Sequence, residues 1–121
     1  MKFIIKGRLD GLNKVIEQNR TNKYAGNELK KTNQRIVKSY IPKELCERDM
    51  KYPVSIHLTF YEPNNRRDVD NVISSQKFIL DAMVQKKVIP NDSRKYVSQV
   101  ISTVFTDKDN PRIVVEIKEG E

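Results

Sequence analysis

Residues 54–61, Val-Ser-Ile-His-Leu-Thr-Phe-Tyr, constrain the fold of this chain more than any other stretch. Val54, Ile56, Leu58 and Phe60 alternate with Ser55, His57, Thr59 and Tyr61. That is the period-two pattern of a strand with one buried face. Its polar alternate face points to a sheet side that is partly wet or used in association. Residues 2–8 read as a shorter strand, with Phe3 and Ile5 on one face and Lys2, Ile4 and Lys6 on the other. Residues 96–105 and 113–117 read as two more strands, separated by the turn-rich Asp107-Lys108-Asp109-Asn110-Pro111.

Between the strands the period changes to that of a helix. Residues 12–40 read as mainly helical, open to interruption near Gly26. At about 100° per residue, Ala25, Leu29, Ile36 and Tyr40 cluster on one side. Arg20, Lys23, Asn27, Lys31, Arg35 and Lys38 fall on the other, an almost purely basic stripe. Pro42 ends this pattern, and residues 43–48 can add one short helical turn. A second helix is predicted from Asp68 or Asp70 to about Lys86, with Val72, Ile79 and Met83 facing the core. The order β-α-β-α-β-β predicts an α/β (α+β) fold, one domain over residues 1–121. A mixed sheet of about four strands would carry helices packed on it. The strand–helix–strand unit predicts a right-handed parallel crossover, and the last two strands should be antiparallel.

Charge is distributed unevenly. The whole net charge of +7 is carried by residues 1–51, while residues 52–121 balance. A basic half suits a polyanionic partner, because neutralising phosphates releases counterions. No apolar run approaches the roughly 20 residues of a membrane span, and Phe3-Ile4-Ile5 is too short for a secretion signal. Cys46 is the single cysteine and has no internal disulfide partner, so a reducing cytoplasm is the expected compartment. His57, the single histidine, faces the polar side of a strand and is read as structural or surface. Its isolation argues against Ser-His or His-metal chemistry and leaves carboxylate-held metal as the simplest mechanism. The aromatics are too scattered for a base-stacking platform.

The candidate chemistry lies in Arg66-Arg67-Asp68-Val69-Asp70-Asn71, followed by Lys77, Asp81 and Asn91-Asp92. In an extended approach to a helix, Asp68 and Asp70 point the same way. Two such carboxylates repel unless a cation lies between them, and Mg²⁺ is held by one or two carboxylates plus water and phosphate oxygens. Lys77 and Asp81 follow Asp70 by seven and eleven residues, within about 40° of it on one continuous helix. A lysine beside such carboxylates can offset charge growing on a phosphate or orient the attacking water. The competing reading makes Asp68 or Asp70 a helix cap and Lys77–Asp81 a weak surface pair.

Taken jointly, Arg67-Asp68-Val69-Asp70-Asn71, Lys77-Phe78-Ile79-Leu80-Asp81-Ala82-Met83 and Val88-Ile89-Pro90-Asn91-Asp92 resemble the RusA family of Holliday-junction resolvases. The resemblance implies a homodimeric, Mg²⁺-dependent endonuclease, Mn²⁺ being the alternative ion, that nicks four-way DNA junctions symmetrically in recombination and repair. Asp68, Asp70 and Asp92 would take the metal-binding and catalytic aspartate roles, and Lys77 that of the catalytic lysine. Arg67, with Arg66 beside it, would contact DNA near the scissile phosphate. Arg20, Lys31, Arg35 and Lys38 would hold junction arms through the backbone, reading shape more than sequence. Two departures stand out. The family lysine often comes sooner, where this chain has Ser74, so Lys77 lies about 4.5 Å further along a helix axis. Asn91 stands where the family often has the first aspartate of a pair, leaving Asp92 as the ligand and Asn91 secondary at best. The alternatives are a non-catalytic basic DNA-binding module with structural carboxylates, and a prophage-derived relative that nicks other branched structures.

Overall fold

The alternation at 54–61 becomes the spine of the molecule. A computed structural model describes residues 1–120. In chain order the elements are β1 (Lys2–Lys6), α1 (Leu12–Thr21), α2 (Lys23–Tyr40), a 3-10 turn at Lys43–Leu45, β2 (Val54–Glu62), α3 (Val69–Ile73), α4 (Gln76–Gln85), β3 (Val97–Thr106) and β4 (Arg112–Lys118). The class is the expected one, α+β with a four-stranded mixed sheet. The strand order is β1-β4-β2-β3.

The neighbours differ from those the short connections suggest. β1 and β2 run in the same direction but have β4 between them, antiparallel to both. β3 and β4 run in opposite directions, as expected, yet β2 separates them and is itself parallel to β3. The 107–111 loop therefore carries the chain across the end of β2. There the Asp107 N–H donates to the Glu62 carbonyl at 2.7 Å, and Arg112 Nη1 donates to Asp107 Oδ2 and the Asn110 carbonyl, each at 2.9 Å. Burial gives the reason for this order. β2 and β4 each bury every second residue, whereas β3 buries Val97 alone and is suited to an edge.

One sheet face packs against the helices through Phe3, Ile5, Val54, Ile56, Leu58, Phe60, Ile113, Val115 and Ile117, all buried. Val72, Ile79 and Met83 meet them from the helix side, as predicted. The opposite face is open, with Ile4, Ile101 and Phe105 exposed and Tyr61 stacked on Phe105.

Two helices differ from their sequence patterns. The first break lies at Asn22, not Gly26: Asn22 is extended and its Oδ1 accepts from the Ala25 N–H at 2.7 Å, capping α2. Gly26 instead marks a close approach, since a Cβ there would run into the Asn19 side chain. The buried face of α2 runs through Asn33, Gln34 and Val37, while Ile36 of the expected apolar stripe is exposed. Hydropathy assigns two amide residues to solvent, but here their polar groups find partners inside. The second helix is divided at Ser74–Ser75. Ser74 Oγ donates to the Asn71 carbonyl at 2.7 Å and Ser75 Oγ to the Val72 carbonyl at 3.0 Å. Such hydroxyls compete for helix carbonyls and favour a break.

Candidate functional site

The Arg67–Asn71 segment is fastened to the fold by its Arg67 and Asn71 side chains. Glu62, at the inward phase of β2, is buried and accepts from Arg67 Nε and Nη2, both at 2.8 Å, and from Arg8 Nη2 at 2.9 Å. Arg67 Nη1 also donates to the Leu9 carbonyl at 3.0 Å. Four residues on, Asn71 Oδ1 accepts the Asn13 N–H at 3.0 Å, satisfying a free donor in the first turn of α1. Gly11 makes that approach feasible, because any Cβ there would collide with Asn71. Sequence plus packing thus hold the β2–α3 loop against the β1–α1 connection from two sides.

On this mount stand Asp68 and Asp70, both exposed. Asp68 is the extended residue preceding α3 and makes no side-chain capping bond. Asp70 lies already in the first helical turn, so the extended geometry expected for both belongs to Asp68 alone. Neither carboxylate joins any ion pair among the described residues.

Lys77, on the first turn of α4, sits between two other carboxylates. Its Nζ lies 3.1 Å from Asp81 Oδ1 and 3.2 Å from Asp92 Oδ2. The Asp81 hydrogen bond, and after it that of Asp92, raises the Lys77 pKa above the ordinary lysine value and keeps it cationic. Asp92 reaches this point because Asn91 Oδ1 accepts the Ser93 N–H at 2.9 Å, turning the loop back. The three side chains line an open cleft of about 480 Å³, together with Asn91 and with Asn27, Lys30, Lys31 and Gln34 of α2.

The structure therefore brings Lys77, Asp92 and Lys31 together, and leaves Asp68 and Asp70 outside the residues lining that cleft. Lys77 pairs with Asp81 and Asp92, and no ion pair joins it to Asp70 among the described residues. Arg20 lies on α1 and lines a different depression, with Asn13, Ile16 and Glu17. Arg35 and Arg66 are exposed and Lys38 is half-buried, all three away from the cleft lining. Arg67 is committed to Glu62, with its side chain 19% exposed. Three further residues support the site without a motif of their own in the sequence. Glu62 continues the inward phase of Val54–Phe60, Lys30 lies next to Lys31, and Gln34 follows Lys31 by one helical turn.

No group of three His, Cys, Asp or Glu side chains among the described residues forms a ready metal cage. The donor chemistry of Asp68 and Asp70 still fits one hard cation, since Mg²⁺ takes as few as one or two carboxylates and completes its shell with water and phosphate.

A lysine–carboxylate cleft flanked by Lys30 and Lys31 of α2 is chemically suited to a phosphate-bearing partner. The particular family follows from comparison with known proteins. The model described as endodeoxyribonuclease RusA matches residues 11–118, and the chain belongs to that family of DNA endonucleases. No curated protein matches the chain.

Proposed function

We propose that this protein hydrolyses phosphodiester bonds in branched DNA, cutting four-way junctions by paired symmetric nicks as a homodimer. The observation that carries the reading is Lys77, a lysine held between Asp81 and Asp92 in a cleft flanked by Lys30 and Lys31, in a chain of an endodeoxyribonuclease family. Lys30 and Lys31 would draw the DNA backbone to the cleft. Lys77 would offset the negative charge that grows on the phosphate. Asp68 and Asp70 would hold Mg²⁺, or Mn²⁺ in its place, and Asp92 would complete the set when the Lys77 pair loosens around substrate. Such an ion supplies an activated water and neutralises phosphate charge. The open sheet face, with Ile4, Ile101 and Phe105 exposed, offers the surface for a second copy.

The pairing of Lys77 with both Asp81 and Asp92 favours one competing reading, a DNA-binding module with structural carboxylates. A nicking assay with Mg²⁺ on four-way, flap and linear duplex DNA separates the two. The nuclease reading expects wild type to nick the four-way substrate and Asp70→Asn to lose that activity by about 100-fold or more. Undiminished nicking by the variant removes Asp70 from the mechanism; junction binding without nicking by either protein establishes the binding module. Nicking of flaps in preference to junctions would redefine the substrate as other branched DNA.

A further inference from the structure

Asp81 belongs to no ligand set, yet it is the best-supported carboxylate in the cleft. Its side chain is 18% exposed, against 39% for Asp92. Oδ1 meets Lys77 and Oδ2 accepts from Gln34 Nε2 at 3.2 Å, with Lys30 Nζ at 3.9 Å. Gln34 is 5% exposed, and its own Oε1 accepts from Gln85 Nε2 at 2.9 Å. A hydrogen-bonded relay thus runs from Gln85 through Gln34 and Asp81 to Lys77. It crosses the contact between α2 and α4, where apolar packing would be the default. A buried amide is costly unless both its ends are satisfied, and here both are. An exposed i,i+4 ion pair with lysine on the N-terminal side is a weak arrangement by itself. What distinguishes this pair is that one partner is anchored from behind.

We infer that Asp81 is the positioning residue of Lys77, held in place by Gln34, and that it keeps the ammonium over the cleft when Asp92 turns to another partner. A divalent cation taken by Asp92 would repel the Lys77 ammonium at its Oδ2 and loosen that pair. With Asp81 behind it, Lys77 need not leave the site when Asp92 is taken. This assignment rests on the proposed nuclease function for its kinetic consequence, but its geometry can be read without activity.

The test uses Asp81→Asn, Asp81→Glu, Gln34→Leu, Lys77→Ala and the double variant Lys77→Ala/Asp81→Asn in the full chain. Single-turnover nicking of a four-way junction should slow about tenfold in Asp81→Asn, the scale of one charge-assisted hydrogen bond, while junction Kd stays within about twofold. Asp81→Glu should recover part of the rate, and Gln34→Leu should fall between. The double variant should be no slower than Lys77→Ala alone, since a positioning residue has nothing left to position. In parallel, acylation of the Lys77 amine, followed by peptide mass spectrometry, should be faster in Asp81→Asn than in wild type. A double variant slower than Lys77→Ala, or unchanged Lys77 acylation in both Asp81→Asn and Gln34→Leu, overturns the assignment. If wild type does not nick, the nuclease reading fails and the acylation measurement alone decides the position of Lys77. If Asp81→Asn does not fold, Gln34→Leu carries the same comparison.

Discussion

The two halves of the candidate site are built in opposite ways. At the Arg67–Asn71 end the supporting groups are buried or half-buried: the Glu62 side chain is 6% exposed and Arg67 19%, and Arg67 and Asn71 each also bond to the β1–α1 region. At the Lys77–Asp92 end the pair is open to solvent, 63% and 39% exposed. A buried charge left without its partner is strongly destabilising, whereas an exposed pair contributes little to folding. The first half is therefore a mount whose loss is felt as unfolding. The second contributes little to folding, so under the proposed function its loss should be felt as chemistry. The difference shows how one domain can fasten the loop that carries Asp68 and Asp70 while leaving Asp92 open to a second partner.

Glu62→Ala should break the comparison most severely. It leaves Arg67, 19% exposed, without its carboxylate, and urea unfolding should show a loss of about 3 kcal/mol. A loss near zero would mean that Glu62 is not the mount. Asn71→Ala should cost about 1 kcal/mol, the usual worth of a satisfied helix-start donor. Faster amide hydrogen exchange at Asn13 in the first turn of α1 would locate the effect; unchanged exchange there would contradict the Asn71–Asn13 contact. Lys77→Ala should shift stability by no more than about 0.5 kcal/mol, while lowering single-turnover nicking by about 100-fold or more. A stability loss as large as that of Glu62→Ala would erase the distinction between the two halves.

The smallest effect is electrostatic and bears on pH. Asp81, then Asp92, raise the Lys77 pKa, so the folded chain holds this proton more tightly than the unfolded one. The pair's contribution is complete below the unfolded lysine pKa and is lost only as pH rises through the raised value. Stability near neutrality should be insensitive to it, and solvent screening keeps even the alkaline loss small. Side-chain NMR titration should place the Lys77 midpoint above the ordinary lysine value in wild type and lower in Asp92→Asn. A wild-type midpoint at the ordinary value would show that the two carboxylates are not engaged in solution.

Local pattern by itself determined the strands, the helical regions, the class and the motif. β2 and β4 follow from alternation that only a half-buried strand requires, and Val72, Ile79 and Met83 from a helical stripe. The joint spacing of Arg67–Asn71, Lys77–Met83 and Val88–Asp92 carried the family, which the match over residues 11–118 bears out. The tertiary structure decided what depends on partners distant in the chain. Strand order turned on which strands could be buried on a whole face, so β4 entered between β1 and β2. The inward face of α2 turned on Asn33 and Gln34, whose amides are buried because Asp10, Asp81 and Gln85 meet them. Hydropathy could not foresee that, since it scores a residue without its partner. The same reason governs the site. Asp68-Val69-Asp70 is legible as a motif, but its mount on Glu62 and Asn13 is not. Lys77 and Asp81 are one turn apart in any helix; that Asp92 joins them was settled by a loop folding back.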